Sequence, residues 1–522
     1  MKPTAVPSLA DRYWSVLFLF CLFWTVAPIF VIPNYRPDVM EMILVGQNWV
    51  LATPKHGSLT CWILEVVYTL TGRAAIAPYL TSQICVFLSL AGVGVMSKRY
   101  LPPKGAALAT FCMMSYYFFH FESTLYNNNT TLGLFWIWTA YFGLRSVETN
   151  QKRWWLLTGI ALGLGIYCKM TIVFLAFSIV FYLLIRSPRR WLSAGPWLTT
   201  AAAVILYLPL LMWNINHDFV QFTYAFNEGS ANEIPSLFGH FAAPFVFLAK
   251  QFLYVAPITV PLIPLLFPRK KHAVSETFKV SVNTETPPEI RSVRLSYLHF
   301  IFLSPIGIEV IFALISASPP GGAIGCILWY FFPLLVLAHL KFDTESRPFH
   351  TAGIISLAEA GIIMILFILG VFLAPAIEGH ASRYHFPGKT LAEAVTRLWR
   401  ERFNTPVPFV IGDEWLTENV SVYGTDRPRL WDPLWAAEDE FLQAGGVLLW
   451  EEGSPNSMKR KAEAESRFPN DGEIISLTLP QQTPFKVPAA RVNVRFYPPA
   501  ENQIPPEKWC GPVKWTTEII KT

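Results

Sequence analysis

The sequence predicts an α-helical polytopic membrane protein, with about eleven transmembrane helices, outer juxtamembrane helices and a small C-terminal soluble α/β domain. Three observations predict it. Of 522 residues, 53% are hydrophobic and only 15% are charged, where a soluble domain carries about 25% charged residues. Mean hydropathy is +0.37. Apolar windows of spanning length recur along the chain, and basic residues fall in alternate loops between them. After residue 375 the composition changes to Pro, charge and short strand-like runs. The net charge of +5 is spread over short loops with no dense Lys/Arg block, which argues against a nucleic-acid surface.

The windows, in order, are 14–32, 76–96, 105–120, 131–147, 154–168, 171–186, 196–213, 242–267, 295–316, 323–340 and 352–375. The first is long enough to span, and no small-x-small site follows it, so it reads as a helix rather than a cleavable signal. The segment 58–72, SLTCWILEVVYTLTG, is apolar but short, and is expected to lie at the membrane surface or dip into it.

Positive charge sets the orientation. With the N-terminus inside, the inner loops carry Lys98, Arg99 and Lys104; Arg145, Lys152 and Arg153; Arg186, Arg189 and Arg190; Arg269, Lys270 and Lys271; and Lys341 and Arg347. The segments 120–131, 214–241 and 317–322 contain no Lys or Arg. Residues 33–58 and everything after about 376 are then outside.

Residues 1–375 are read as the transmembrane domain and 376–522 as the outer domain. In the latter, PFVIGDEW, GGVLLWEEG, EIISLTLPQ and RVNVRFYPP read as strands, and GKTLAEAVTRLWRERF from Gly388 as an amphipathic helix. The stretch 272–294 reads as a polar inner loop. The seven cysteines, Cys21, Cys61, Cys85, Cys112, Cys168, Cys326 and Cys510, show neither metal spacing nor a CxxC pair. Most read as small apolar filler.

Five polar features stand out against this background. Asp38 and Glu41 are three apart after Pro37, which suits the first turn of a helix, so both carboxylates would share one face. One acid can deprotonate a hydroxyl while its neighbour tunes it, holds an acceptor or holds a divalent metal; a solvated loop explains the same spacing. Lys55 and His56 at headgroup level suit a phosphate, as they suit simple snorkelling. Asn127, Asn128 and Asn129 open a span, where Asn bonds a sugar or caps a helix. Lys169 is a lone charge at the turn between two apolar helices. The loop with Trp213, Asn214, His217, Asp218, Phe222 and Tyr224 has the content of a sugar site and also of an aromatic belt. Lys250, Glu309 and Glu359 fall within spans and either line a cavity or pair across helices.

In this order the pieces resemble a bacterial branch of the polyprenyl-phosphate-sugar-dependent glycosyltransferases of the C type. That group holds the protein O-mannosyltransferases, the aminoarabinose transferase of lipid A and rhizobial lipopolysaccharide galacturonosyltransferases. Its Asp-x-x-Glu matches Asp38 and Glu41. Its Lys-His-Pro-Pro-Leu matches KHGSL, Lys55 to Leu59. Its Asn-rich turn matches YNNNTTL, its Gly-Leu-Gly-x-x-x-Lys-Tyr matches GLGIYCKM with Lys169 on the family lysine, and its HDFxxFTYA loop is His217 to Ala225. VIGDEWLTENVSVYGTDRP in the tail is also similar. Gly57-Ser58 replaces the Pro-Pro, Met170 replaces the Tyr, and SPPGGAIG has no counterpart.

The resemblance implies an enzyme of the bacterial inner membrane that moves a sugar from a polyprenyl-phosphate donor on the periplasmic face, with inversion. The acceptor would be lipid A, core oligosaccharide, another glycolipid or a protein. Lys55, His56 and Lys169 would bind the donor phosphate. Asp38 would be the base, with Glu41 orienting it or binding the acceptor or a metal. No phosphate-cradling Gly loop for a nucleotide sugar is present. On this reading the Asn-x-Ser/Thr triplets at Asn128, Asn129 and Asn419 are incidental. Two other readings stand beside it: a flippase or transporter for a lipid-linked sugar, and a membrane scaffold without catalysis. No inverted halves support a transporter.

Overall fold

The computed structural model describes residues 12–230, 237–267, 287–321, 325, 327–433 and 436–500. Arg269, Lys270, Lys271, Cys326 and Cys510 lie outside the described residues, as does most of the 272–294 loop; its end, from Pro288, already belongs to a helix.

The helices run α1 Tyr13–Val31, α2 Pro37–Gln47, α3 Leu59–Leu70, α4 Ala77–Ser97, α5 Pro103–Met113, α6 Asn128–Thr149, α7 Lys152–Cys168, α8 Val173–Arg186, α9 Pro188–Trp191 and α10 Ala194–Asn216. They continue as α11 Val220–Ser230, α12 Leu237–Thr259, α13 Ile263–Leu266, α14 Pro288–Ser316, α15 Phe332–His339 and α16 Arg347–Glu378. The C-terminal part holds α17 Gly388–Phe403, β1 Phe409–Gly412, α18 Glu414–Tyr423, β2 Arg429–Leu430, α19 Glu438–Ala444, β3 Gly446–Trp450, α20 Pro455–Arg467, β4 Ile474–Leu479 and β5 Ala490–Tyr497.

Six described helical segments are long and apolar enough to cross a membrane: α1, α4, α10, Phe238–Leu266, α14 and α16. The other apolar windows also fall on helices, but several are broken. The window 105–120 holds only the 11 residues of α5, followed by a 3-10 turn at Tyr117–Phe119. The segment 58–72 holds the 12-residue α3.

The chain divides into two compact units. The first holds residues 1–26, 51–60 and 76–367. Here α7 packs on both α6 and α10, α4 on α6, and α8 and α12 on α14. Small residues let these helices close up. A Cβ on Gly159 of α7 would stand 2.4 Å from the Thr199 carbonyl oxygen of α10, and one on Gly163, a turn later, 2.9 Å from Leu206.

The second unit holds residues 27–50, 61–75 and 368–522. Its five-stranded sheet has the order β2-β1-β3-β5-β4, parallel at β2-β1-β3 and antiparallel at β3-β5-β4. Strand alternation divides its central residues between two cores. Val410, Val447, Leu449 and Val494 face Leu391, Val395 and Trp399 of α17 and Leu416 and Val420 of α18. Phe409, Ile411, Leu448 and Trp450 face Phe441 of α19 and Ala464 of α20. Burial on both faces explains why β1 and β3 read as unbroken apolar runs.

The same unit includes α2, which packs against α18. The Tyr35 backbone N–H donates to Tyr423 Oη at 2.9 Å, and the two rings stack at 5.6 Å.

Candidate functional site

In the first unit the Lys55–His56 stretch is a tight turn. Ala52 and Gly57 form an antiparallel bridge, and the Thr53 N–H donates to the His56 carbonyl at 2.8 Å. Thr53 Oγ1 accepts from the backbone N–H groups of Lys55 and His56 at 3.3 and 3.2 Å. The turn leaves Lys55 exposed and buries His56, whose Nδ1 lies 2.9 Å from the Gly57 oxygen. Gly57 sits on the end of α7. A Cβ there would stand 2.8 Å from the Tyr167 carbonyl oxygen, so the backbone approach itself excludes a larger residue.

Two residues beyond Tyr167, Lys169 breaks α7 with extended backbone angles, φ −163° and ψ 134°. Its Nζ donates to Asn129 Oδ1 at 2.8 Å. The three asparagines therefore divide their work. Asn127 is the N-cap of α6, its side-chain oxygen accepting from the Asn129 and Thr130 N–H groups at 2.9 and 3.4 Å. Asn129 holds Lys169. Asn128 Oδ1 is buried with no hydrogen-bond partner among the described residues.

The α10–α11 corner is pinned to the same turn. Gln221 Nε2 donates to the Thr53 carbonyl at 2.8 Å, and Asn214 Nδ2 donates to Gln221 Oε1 at 2.9 Å. His217 stacks on Trp213 at 4.1 Å, and its Nδ1 lies 2.7 Å from the Trp213 oxygen. Asp218 and Phe219 follow at φ +51° and +54°. Asp tolerates the left-handed region, but Phe there is strained; the corner holds it. Tyr224 is half-buried on α11. Sequence reasoning missed Thr53 and Gln221, which tie turn to corner. The one signal, for Gln221, was its polarity inside an aromatic loop.

Glu309 of α14 is 2% exposed, and Lys169 is near enough to act on it electrostatically. Glu359 is half-buried on α16, and Lys250 is exposed on α12.

Asp38 and Glu41 belong to the second unit. Pro37 opens α2 as the spacing predicts, with Asp38 exposed in the first turn and Glu41 half-buried one turn on. Among the described residues no group of three or more His, Cys, Asp or Glu could hold a metal ion. A separate cleft of about 860 Å³ opens in the C-terminal domain beside β1 and β2, lined by Gly412, Glu414, Trp431, Asp432 and Arg460 among others. None of the candidate residues lines it.

The arrangement in the first unit places an ammonium on a neutral amide. It also sets a Lys–His turn against the end of the helix that carries that ammonium. Fixed cations of this kind suit a phosphate. The family described as dolichyl-phosphate-mannose-protein mannosyltransferase matches residues 55–213, a stretch holding Lys55, His56, the three asparagines and Lys169. The crystal structure of ArnT from Cupriavidus metallidurans bound to undecaprenyl phosphate is similar in fold, with TM-score 0.58 and 12% identity, over 93% of this chain and 98% of that one. Residues 55–213 thus match that family's model, and the chain shares the fold of the ArnT structure. The apo structure of the same ArnT gives TM-score 0.53 and 12% identity over 92% and 98% of the two chains. No curated protein sequence matches. The family match starts at Lys55 and so leaves Asp38 and Glu41 outside it.

Proposed function

We propose that the chain is an integral-membrane glycosyltransferase of the inner membrane that moves one monosaccharide from a polyprenyl-phosphate donor to a cell-envelope acceptor on the periplasmic face. The N-terminus is cytoplasmic, residues 1–375 form the transmembrane transferase domain, and residues 376–522 form a periplasmic domain. The observation that carries this reading is the Lys169–Asn129 contact in the same compact unit as the Lys55–His56 turn, all within the stretch that matches the family. The bound undecaprenyl phosphate of the similar ArnT structure supports the donor class.

In the proposed reaction the acceptor hydroxyl oxygen attacks the anomeric carbon. The bond from that carbon to the phosphate oxygen breaks with its electron pair, giving inversion and free polyprenyl phosphate. Lys55, His56 and Lys169 stabilise the charge that develops on the leaving phosphate. Asp38 takes the hydroxyl proton. Glu41 orients Asp38 or binds the acceptor, and a divalent cation, where one is used, would sit on this carboxylate pair. The Asn127–Asn129 segment and His217, Asp218 and Tyr224 contact the sugar.

The test is mass spectrometry of envelope glycolipids and glycans from a host carrying Asp38→Asn. An acceptor lighter by one sugar, accumulating undecorated, is expected. An unchanged acceptor with lipid-linked sugar trapped on the inner leaflet would replace the transferase with a flippase. No change in either would leave a scaffold.

A further inference from the structure

In the second unit, α18, after β1, packs on one face of the sheet, and α19 and α20, after β2 and β3, pack on the other. With the order β2-β1-β3, the chain leaves the adjacent strands β1 and β3 toward opposite faces. Open sheets of this kind take ligands in the crevice at the carboxyl ends of such strands. The cleft of about 860 Å³ lies there: Gly412 ends β1, Glu414 opens α18, Trp431 and Asp432 follow β2, and Arg460 and Arg467 come from α20. Small-molecule sites span roughly 300–1,000 Å³. Gly412 has φ +117°, and a Cβ there would meet the Leu449 carbonyl oxygen, so the strand ends on a residue with no side chain to fill the crevice.

Many doubly wound folds hold a phosphate at the helix N-terminus that follows a strand. Here acids occupy that place. Asp413 caps α18, accepting from the Leu416 N–H at 3.1 Å, and Glu414 stands in the first turn. Burial, and then the like charge of Asp413, raise the pKa of Glu451, just after β3. The guanidiniums of the cleft also hold carboxylates already: Arg460 Nη1 lies 3.2 Å from Glu463 Oε2, and Arg467 Nε 2.8 Å from Glu438 Oε1. An anion is therefore disfavoured. The wall instead sets acceptor-only carboxylates beside donor-only guanidiniums. Both kinds can be reached: Glu414 is exposed, and the Arg460 and Arg467 side chains are 57% and 42% exposed. Arg467 is further fixed over the Trp431 ring, 5.4 Å from its centroid. A hydroxyl donates and accepts through one atom, so neighbouring hydroxyls on one ligand serve both kinds of group.

We propose that this cleft binds a carbohydrate, the glycan of an envelope glycolipid acceptor. Glu414 and Asp432 accept from its hydroxyls, and Arg460 and Arg467 donate to its oxygens. The chemistry of the ligand rests on the cleft alone; its source in the acceptor rests on the transferase function proposed above. The cleft shares no residue with the candidate donor-phosphate group Lys55, His56 and Lys169.

The experiment titrates the full chain, in phosphatidylcholine nanodiscs, with the oligosaccharide released by mild acid from the host's own envelope glycolipid. Binding is read by saturation-transfer difference NMR. Wild type should bind saturably. Glu414→Ala and Arg460→Ala, both on exposed side chains, should each weaken binding by about tenfold, the effect of one lost hydrogen bond to a charged group. Lys169→Ala should bind as wild type does. No binding by wild type, or unchanged binding in both cleft variants, would overturn the proposal. If Lys169→Ala abolishes binding while the cleft variants keep it, the glycan sits with the donor residues, and the transferase stands while the cleft site falls. Sugar transfer measured in the same nanodiscs tests the transferase separately. Displacement of the oligosaccharide by millimolar inorganic phosphate would make the cleft an anion site and also overturn the proposal.

Discussion

Helix α6 carries a charged cluster at each end, and the two are built on opposite plans. At its start the Lys169 ammonium donates to a neutral amide, Asn129, with the Glu309 carboxylate near enough to interact with it. At its end a single carboxylate, Glu148, ties three guanidiniums from three helical segments. A neutral amide fixes the position of a cation without itself adding a countercharge. A carboxylate holder fixes helices together and cancels charge as it does so. The first plan suits a group that must meet an anion during a reaction, and the second suits a clamp. The comparison can be broken by substitution at either end.

The largest effect should come from the amide-held end. Lys169→Ala removes a cation proposed to stabilise the leaving phosphate, so transfer in reconstituted membranes should fall by about 10²–10³. The far-ultraviolet dichroism and detergent elution should be unchanged, because the lysine lies in a break between helices. A variant that still transfers within about threefold of wild type would remove Lys169 from the mechanism.

Gly57→Ala should come next. The added methyl meets backbone atoms of Tyr167 rather than a flexible side chain. The turn must therefore shift, at a cost of about 1–3 kcal/mol. Because Lys55 and His56 ride on that turn, donor KM should rise more than kcat falls. A fall in kcat and kcat/KM by the same factor, with KM unchanged, would mean that the turn acts only in the transition state.

Asn127→Ala and Asn129→Ala separate capping from catalysis within one tripeptide. The first should cost about 1 kcal/mol of stability by uncapping α6, read as a lower unfolding midpoint. The second leaves the cap and should act mainly on transfer. A result with the roles exchanged would sink the division of labour drawn above.

How much of this was legible in sequence follows physical rules. The apolar runs located the membrane helices, but length decides which of them cross, and chain breaks inside windows such as 105–120 left no compositional mark. Strands β1 and β3 were legible as buried runs bounded by polar turns, and α17 by its amphipathic period. Strand β2 was not, being two residues long. Helix α18 hid because its buried face includes Thr417, Glu418, Asn419 and Ser421; its start is set by the Asp413 side chain capping the Leu416 N–H. At the site, the asparagine run left cap and ligand as equal readings, since both need the same amide. Only the position of Lys169 assigns Asn129. The replacement of Pro-Pro by Gly57-Ser58 is explained by Tyr167, at least for Gly57, and that neighbour is 110 residues away in sequence.

The smallest expected effect lies in the second unit and tests whether its connection to α16 is a folded element. His385 follows that helix, is 4% exposed, and its Nδ1 lies 2.9 Å from Ser382 Oγ. Burial lowers its pKa from the ordinary 6.5, while a backbone contact at Val371 and the charge of Glu378 pull it back up. The folded state therefore binds a proton less readily than the unfolded chain. The stability contributed is fully present above about 6.5 and is lost as pH falls through the lowered folded value. The unfolding midpoint of the C-terminal domain, followed by tryptophan fluorescence of the full chain, should fall between pH 7 and 5. Glu378→Gln should steepen that fall, because it removes a charge that favours the imidazolium. A His385→Asn variant should flatten it. If Glu378→Gln flattens the fall instead, protonated His385 is paired rather than penalised, and the segment after α16 is solvated instead of packed.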